Sequence, residues 1–148
     1  MVTGFNHSGL VVKDLEGMID FYCNTLGLSV QREVDSVAPP EGDHTGIPGA
    51  RRKLVFVGKP DGTHLLELVH FVDPPSPTGH LDNHQLGASH LCFNVEGMQE
   101  FYENLSGQGV EFVTPPKFRD APDGGRRGIC YARDPEGNWL EFIEWVTA

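Results

Sequence analysis

Cysteine is scarce in this chain. There are three among 148 residues, Cys23, Cys92 and Cys130, and no two have C-x-x-C spacing. An odd, scattered count argues against a disulfide framework and against a Cys-rich zinc site. Basic residues are few as well: 11 Lys and Arg stand against 21 Asp and Glu, a formal net charge of −10 with His neutral. Sequence-independent binding to DNA or RNA needs cations to neutralise phosphates, and an anionic membrane surface needs the same. Neither nucleic acid nor membrane is therefore an expected partner. No apolar run nears the length of a membrane span. The opening stretch MVTGFNHSGLVVKD has no basic region followed by a long apolar one, so no signal peptide is visible and a reducing cytoplasm is the expected compartment. Apolar residues at 39% and charged residues at 22% suit a packed core. The length suits one domain or two very small ones.

What is present repeats. HSGLVVKDLEGMIDFYCNTLGLSV begins at His7, and HLCFNVEGMQEFYENLSGQGVEF begins at His90. Both run His, strand-like apolar residues, an acidic turn, then a helix bearing Phe-Tyr: Phe21-Tyr22 and Phe101-Tyr102. The copies also end alike, in PDGTHLLELVHF and PEGNWLEFIEW. Each has Pro-acidic-Gly, then Leu-Glu in a strand, so Glu67 corresponds to Glu141. Each half reads strand–helix–strand–strand–strand. The first module is expected over about 4–72 and the second over about 88–148. The Pro- and Gly-rich stretch 73–87 reads as the linker within a single domain of 1–148.

Strand side chains alternate between faces. Ser8, Leu10 and Val12 share one face of the first strand, opposite His7, Gly9 and Val11. Leu91, Phe93 and Val95 share one face of the fifth, opposite His90, Cys92 and Asn94. Helices on one side of each curved sheet leave both histidines and both glutamates on the other. A carboxylate in an apolar strand is costly unless paired. Two imidazoles and two carboxylates satisfy one another best around a divalent cation, which makes His7, Glu67, His90 and Glu141 the candidate ligands. Mixed N/O donors suit Ni, Co, Zn, Mn or Fe and do not choose among them. Taken singly, a His in a strand is more often a hydrogen-bonded core residue, and a Glu there usually faces solvent. The recurrence at equivalent places is what singles these four out. His64 and His70 fall on the opposite face from Glu67 and read as structural or surface. His44, His80 and His84 lack the symmetry, and His44 reads as surface.

These residues carry a resemblance. HSGLVVKDLEGMIDFYCNTLGLSV, HLLELVHF, GASHLCFNV and YARDPEGNWLEFIEW look like the vicinal oxygen chelate superfamily, which includes glyoxalase I, methylmalonyl-CoA epimerase, extradiol dioxygenases and the bleomycin and fosfomycin resistance proteins. The resemblance spans nearly the whole chain. It implies an α+β fold of two βαβββ modules whose mixed sheets form an open, curved barrel around one divalent metal ion per chain. The ligand positions on its strands one, four, five and eight fall on His7, Glu67, His90 and Glu141. It also implies a homodimer and a small-molecule substrate chelated through two vicinal oxygens.

Three reactions then compete. A lactoylglutathione lyase-like enzyme uses a carboxylate at the metal, Glu67 or Glu141, as the catalytic base. The His-Glu-His-Glu pattern favours this lyase or isomerase chemistry. The epimerase branch places Gln on the fourth strand and an acid on the third, where this chain has IPGARRKLVF and no acid. An Fe(II) extradiol-type dioxygenase needs His7, His90 and Glu141, with Tyr131 as a candidate beside them. A metal-free drug-binding protein is the alternative outside enzymology, and the complete donor set speaks against it. Two Gly- and Pro-rich loops, 34–53 and 114–128, are long enough to cover a pocket. Arg51, Arg52, Arg119, Arg126 and Arg127 in or near them are candidates for an anionic substrate.

Overall fold

The computed structural model describes every residue except 63, 123 and 148. Parts of the turn before the fourth strand and of the loop 114–128, and the last residue of the second module, thus lie outside the described residues. The chain divides into two units, Met1–Thr78 and Gly79–Ala148.

Unit 1 begins with β1 (His7–Val12) and α1 (Leu15–Asp20), which widens into a π-helical turn over Phe21–Thr25. It continues with β2 (Ser29–Val37), β3 (Arg51–Gly58) and β4 (Leu65–Asp73). Asp14 starts the helix: its carboxylate accepts from the Gly17 N–H at 3.0 Å, satisfying a donor that the first turn leaves open. Gly27, at φ 73°, ends it, because that left-handed backbone disfavours a side chain. The sheet is open, in the order β1-β4-β3-β2, with β1 and β4 parallel and the other pairs antiparallel. This is the expected strand–helix–strand–strand–strand order. α1 packs against β4. Val12, Met18, Tyr22, Val55, Val57, Leu66 and Leu68 are buried and form the core. Glu67 lies between Leu66 and Leu68 in sequence, so alternation turns it to the other face.

Unit 2 contains β5 (His90–Asn94), α2 (Met98–Gly107), β6 (Glu111–Phe112), β7 (Lys117–Asp120), β8 (Arg126–Arg133) and β9 (Trp139–Val146). Its sheet runs β5-β9-β8-β6, with β7 also paired to β8 and β5 parallel to β9. The order departs from expectation at one place. β6 and β7 both pair with β8 and together stand where unit 1 has the unbroken β2. Val113 still donates to the Tyr131 carbonyl at 2.9 Å, but Pro115 and Pro116 have no N–H to continue the ladder. The strand carrying Glu141 is therefore the ninth rather than the eighth. Phe142 is the hub of this core, its ring 4.8 Å from Phe101 of α2 and 6.0 Å from Phe93 of β5. Because α2 covers Phe142, alternation puts Glu141 on the uncovered face. Trp139 Nε1 donates to the Leu81 carbonyl at 2.8 Å, fastening the middle of the expected linker to β9. Among the described residues, no helix is long and apolar enough to cross a membrane.

Candidate metal centre

The parallel pairings set the site. On β1 and β4, His7 lies opposite Leu65 and Gly9 opposite Glu67. On β5 and β9, His90 lies opposite Trp139 and Cys92 opposite Glu141. In each unit the Glu thus stands two residues beyond the partner of the His, on the same face. His7 Nε2 approaches Glu67 Oε2 at 3.2 Å, and His90 Nε2 approaches Glu141 Oε2 at 2.9 Å. Both carboxylates are well shielded, at 16% and 12% exposure, while the imidazoles are 37% and 45% exposed. Shielded charge beside a half-open imidazole is an arrangement that a cation completes. Asn6 Oδ1 lies 2.8 Å from His7 Nδ1. An acceptor there favours the tautomer that carries its proton on Nδ1.

One aromatic ring backs each pair. Phe56, opposite Glu67 on β3, meets the His7 ring edge-on at 5.7 Å. Tyr131, opposite Glu141 on β8, meets the His90 ring edge-on at 5.4 Å. Burial first, then the charge of Glu141 and hydrogen bonding to it, push the Tyr131 hydroxyl above its ordinary range. The same causes in the same order push the Cys92 thiol up to about 11, so this exposed cysteine is a poor thiolate at neutral pH. A cleft of about 140 Å³ opens beside His90, lined by Asn83, Ser89, Tyr131 and Trp139.

The structure brings the predicted donors together as His7 with Glu67 and His90 with Glu141, one pair in each unit. Among the described residues, no group of three or more His, Cys, Asp or Glu gathers where a metal ion could be held. Three other histidines stand apart from these pairs. His64 Nε2 lies 3.0 Å from Ser8 Oγ, and His70 Nδ1 lies 3.3 Å from the Val12 carbonyl, both on the far face as expected. His44 is exposed. Arg52 is not available to a substrate. It is buried, paired with Asp43 and bonded to Ser36 Oγ at 2.9 Å, where it closes the loop between β2 and β3. Arg126 and Arg127 lie over the rings of Phe118 and Trp145. Sequence reasoning weighed Tyr131 but missed Phe56 as its counterpart. Counting two residues on from each His would have exposed the Gly9 and Cys92 equivalence.

An α+β chain built from two such units, each holding a His–Glu pair on its parallel strands, defines a duplicated-module protein of the vicinal oxygen chelate type. The chain belongs to the Glyoxalase/Bleomycin resistance protein/Dioxygenase superfamily, whose profile matches residues 4–142. It is 28% identical to a lactoylglutathione lyase of Pseudomonas aeruginosa over 95% of this chain and 81% of that protein. It is 32% identical to a lactoylglutathione lyase of Neisseria meningitidis over 93% and 88%. In fold it resembles a glyoxalase family protein of Bacillus cereus, with a TM-score of 0.85 at 23% identity, covering 99% of this chain and 96% of that one.

Proposed function

We propose that this chain is a metal-dependent lyase or isomerase, lactoylglutathione lyase-like, that acts on a small molecule presenting two vicinal oxygens. The observation that carries this reading is the duplicated His–Glu pair at one register in both units. Relatives named lactoylglutathione lyase support it. His7, Glu67, His90 and Glu141 offer borderline nitrogen and hard oxygen donors, a set that fits Ni, Co, Zn, Mn or Fe(II). These residues would hold one such ion per chain, and it would supply Lewis acidity toward the two substrate oxygens. The imidazoles act as neutral ligands, and a carboxylate of the set, Glu67 or Glu141, moves the proton between adjacent carbons. The active species is a homodimer, because open sheets leave edges that a second copy covers. Its compartment is the cytoplasm.

The test is metal analysis of purified protein together with turnover of a glutathione hemithioacetal. Turnover that a chelator abolishes and added metal restores is the expected result. Metal-independent binding of a drug at one per chain, without turnover, overturns the reading. Tyr131 beside both His90 and Glu141 favours one other chemistry, an Fe(II) extradiol-type dioxygenase. Oxygen consumption with a catechol would establish that instead.

A further inference from the structure

The uncovered face of unit 2 changes character along β9. It runs through Trp139, Glu141, Ile143 and Trp145, two residues apart. Tyr131, Ile129 and Arg127 of β8 stand opposite Glu141, Ile143 and Trp145 in that order. β7 extends the same face, with Lys117 opposite Ile129 and Arg119 opposite Arg127. Beyond the His90–Glu141 pair there is thus an apolar floor, Ile129 and Ile143, and then three cations around the Trp145 indole. At about 3.3 Å per residue, the floor lies about 7 Å along the strand from Glu141 and Trp145 about 13 Å.

This end of the face differs from an ordinary solvated rim. The chain has 21 acidic and 11 basic residues, yet among the described residues none of these three cations is ion-paired. Asp120 and Glu144, acids close to them in sequence, alternate to the opposite face, where Glu144 accepts from the Gly97 N–H at 2.6 Å. Arg119 and Arg127 are directly opposed, and like charges so placed repel. The Arg127 guanidinium is held 5.4 Å from the Trp145 ring centroid, and that residue is 61% exposed. An anion between the strands removes the repulsion and supplies the missing counter-charge.

We propose that Lys117, Arg119 and Arg127 form an anion subsite, and that the substrate carries an apolar segment ending in a phosphate or carboxylate group that this subsite holds. The binding of an anion stands on unit 2 alone. That the anion belongs to the substrate rests on the metal-dependent isomerase reading. Guanidinium groups on neighbouring strands present paired N–H donors to the oxygens of one anion, and the Lys117 ammonium adds a point charge. Ile129 and Ile143 are half-buried, and covering them with an apolar chain removes further apolar surface from water. The three cations bind and orient, and touch no reacting atom.

The test uses the full chain and follows Trp145 emission during titration with hexyl phosphate and with hexanoate at fixed ionic strength. Trp145→Phe identifies the signal. The controls are hexanol, which is neutral, and hexylammonium, which a chain of net charge −10 attracts in bulk. Both anions are expected to bind more tightly than either control, and the tighter of the two names the terminal group. Arg119→Gln and Arg127→Gln should each weaken the anions by about tenfold, as loss of a charge-assisted hydrogen bond does. Lys59→Gln, which removes an exposed cation from unit 1, should leave them unchanged. Controls that bind as tightly as the anions overturn the subsite, as does equal weakening by Lys59→Gln. On a glutathione hemithioacetal, Arg127→Gln should raise KM by more than it lowers kcat. An unchanged KM in a variant that has lost hexyl phosphate binding overturns the assignment to the substrate. If the native protein turns over no hemithioacetal, the isomerase reading falls, and the hexyl phosphate titration still decides the subsite.

Discussion

In unit 1 the outer strand β2 runs unbroken from Ser29 to Val37, while in unit 2 its place is taken by two pieces separated by Pro115 and Pro116. The π-helical turn that lengthens α1 has no counterpart in α2. Yet His7 and Glu67 hold the same register as His90 and Glu141. The difference teaches where the constraint lies. The donors sit on the parallel pair at one end of each sheet, so an interruption at the other end leaves them in place. A one-residue slip between β1 and β4, or between β5 and β9, would turn a donor to the helix-covered face. Pairing register, rather than the outline of the unit, is what the two halves share.

The comparison is broken most readily at the histidines. His7→Ala and His90→Ala should each weaken metal binding by more than about 100-fold, above the range seen for supporting residues, and should abolish turnover together. Calorimetric titration with Co(II) checks this. If one variant keeps native affinity, the two pairs do not serve one ion. The next largest effect falls on unit 2. Phe142→Ala removes the ring shared by Phe93, Phe101 and Phe112, and should cost about 3–5 kcal/mol in denaturant unfolding. A smaller contrast lies in the turns before β4 and β9. Asp134 is buried and accepts from the N–H groups of Glu136 and Asn138 and from Asn138 Nδ2. Its counterpart Lys59 is exposed, its amino group reaching the Gly27 carbonyl at 3.2 Å. Asp134→Ala should cost about 1–3 kcal/mol by leaving buried donors unpaired. Lys59→Ala should stay within about 0.5 kcal/mol, as surface changes do.

Much of this was legible in the sequence. Alternation along HSGLVV and LLELVHF placed His7 and Glu67 on one face, because a buried face and a polar one leave a period-two pattern. The repeat then located His90 and Glu141. Two things were not legible. The stretch from 114 to 128 read as a loop, because its Pro and Gly content hides the four residues of β7, Lys117–Asp120, that pair with β8. The partners of Glu67 and Glu141 on β3 and β8 depend on register across a loop, and loop length does not fix that register. Arg52 illustrates the same limit. Its place beside a Gly- and Pro-rich loop made it a candidate for an anionic substrate, whereas its partners, Ser36 and Asp43, come from β2 and the loop that follows it.

That clasp has a defined pH sign. Asp43 accepts from Thr45 through both its hydroxyl and its backbone N–H, at 2.6 and 2.9 Å, and pairs with Arg52. The Thr45 hydroxyl leads these influences, with the Thr45 N–H next and the Arg52 charge a lesser one; together they hold the Asp43 carboxyl down from 3.8 to about 2. A carboxyl depressed by folding stabilises the native state above its unfolded value, and that stabilisation is lost as pH falls through its folded value. Asp43→Asn keeps the shape but removes the charge. The variant should therefore be less stable than the native protein at neutral pH. The gap should close between pH 3.8 and about 2 as the native carboxyl takes up its proton. Thermal unfolding of both proteins across that window checks the sign. A gap that persists unchanged to pH 2 would show that the loop is held by the Arg52–Ser36 contact and by its backbone turns rather than by the Asp43 charge.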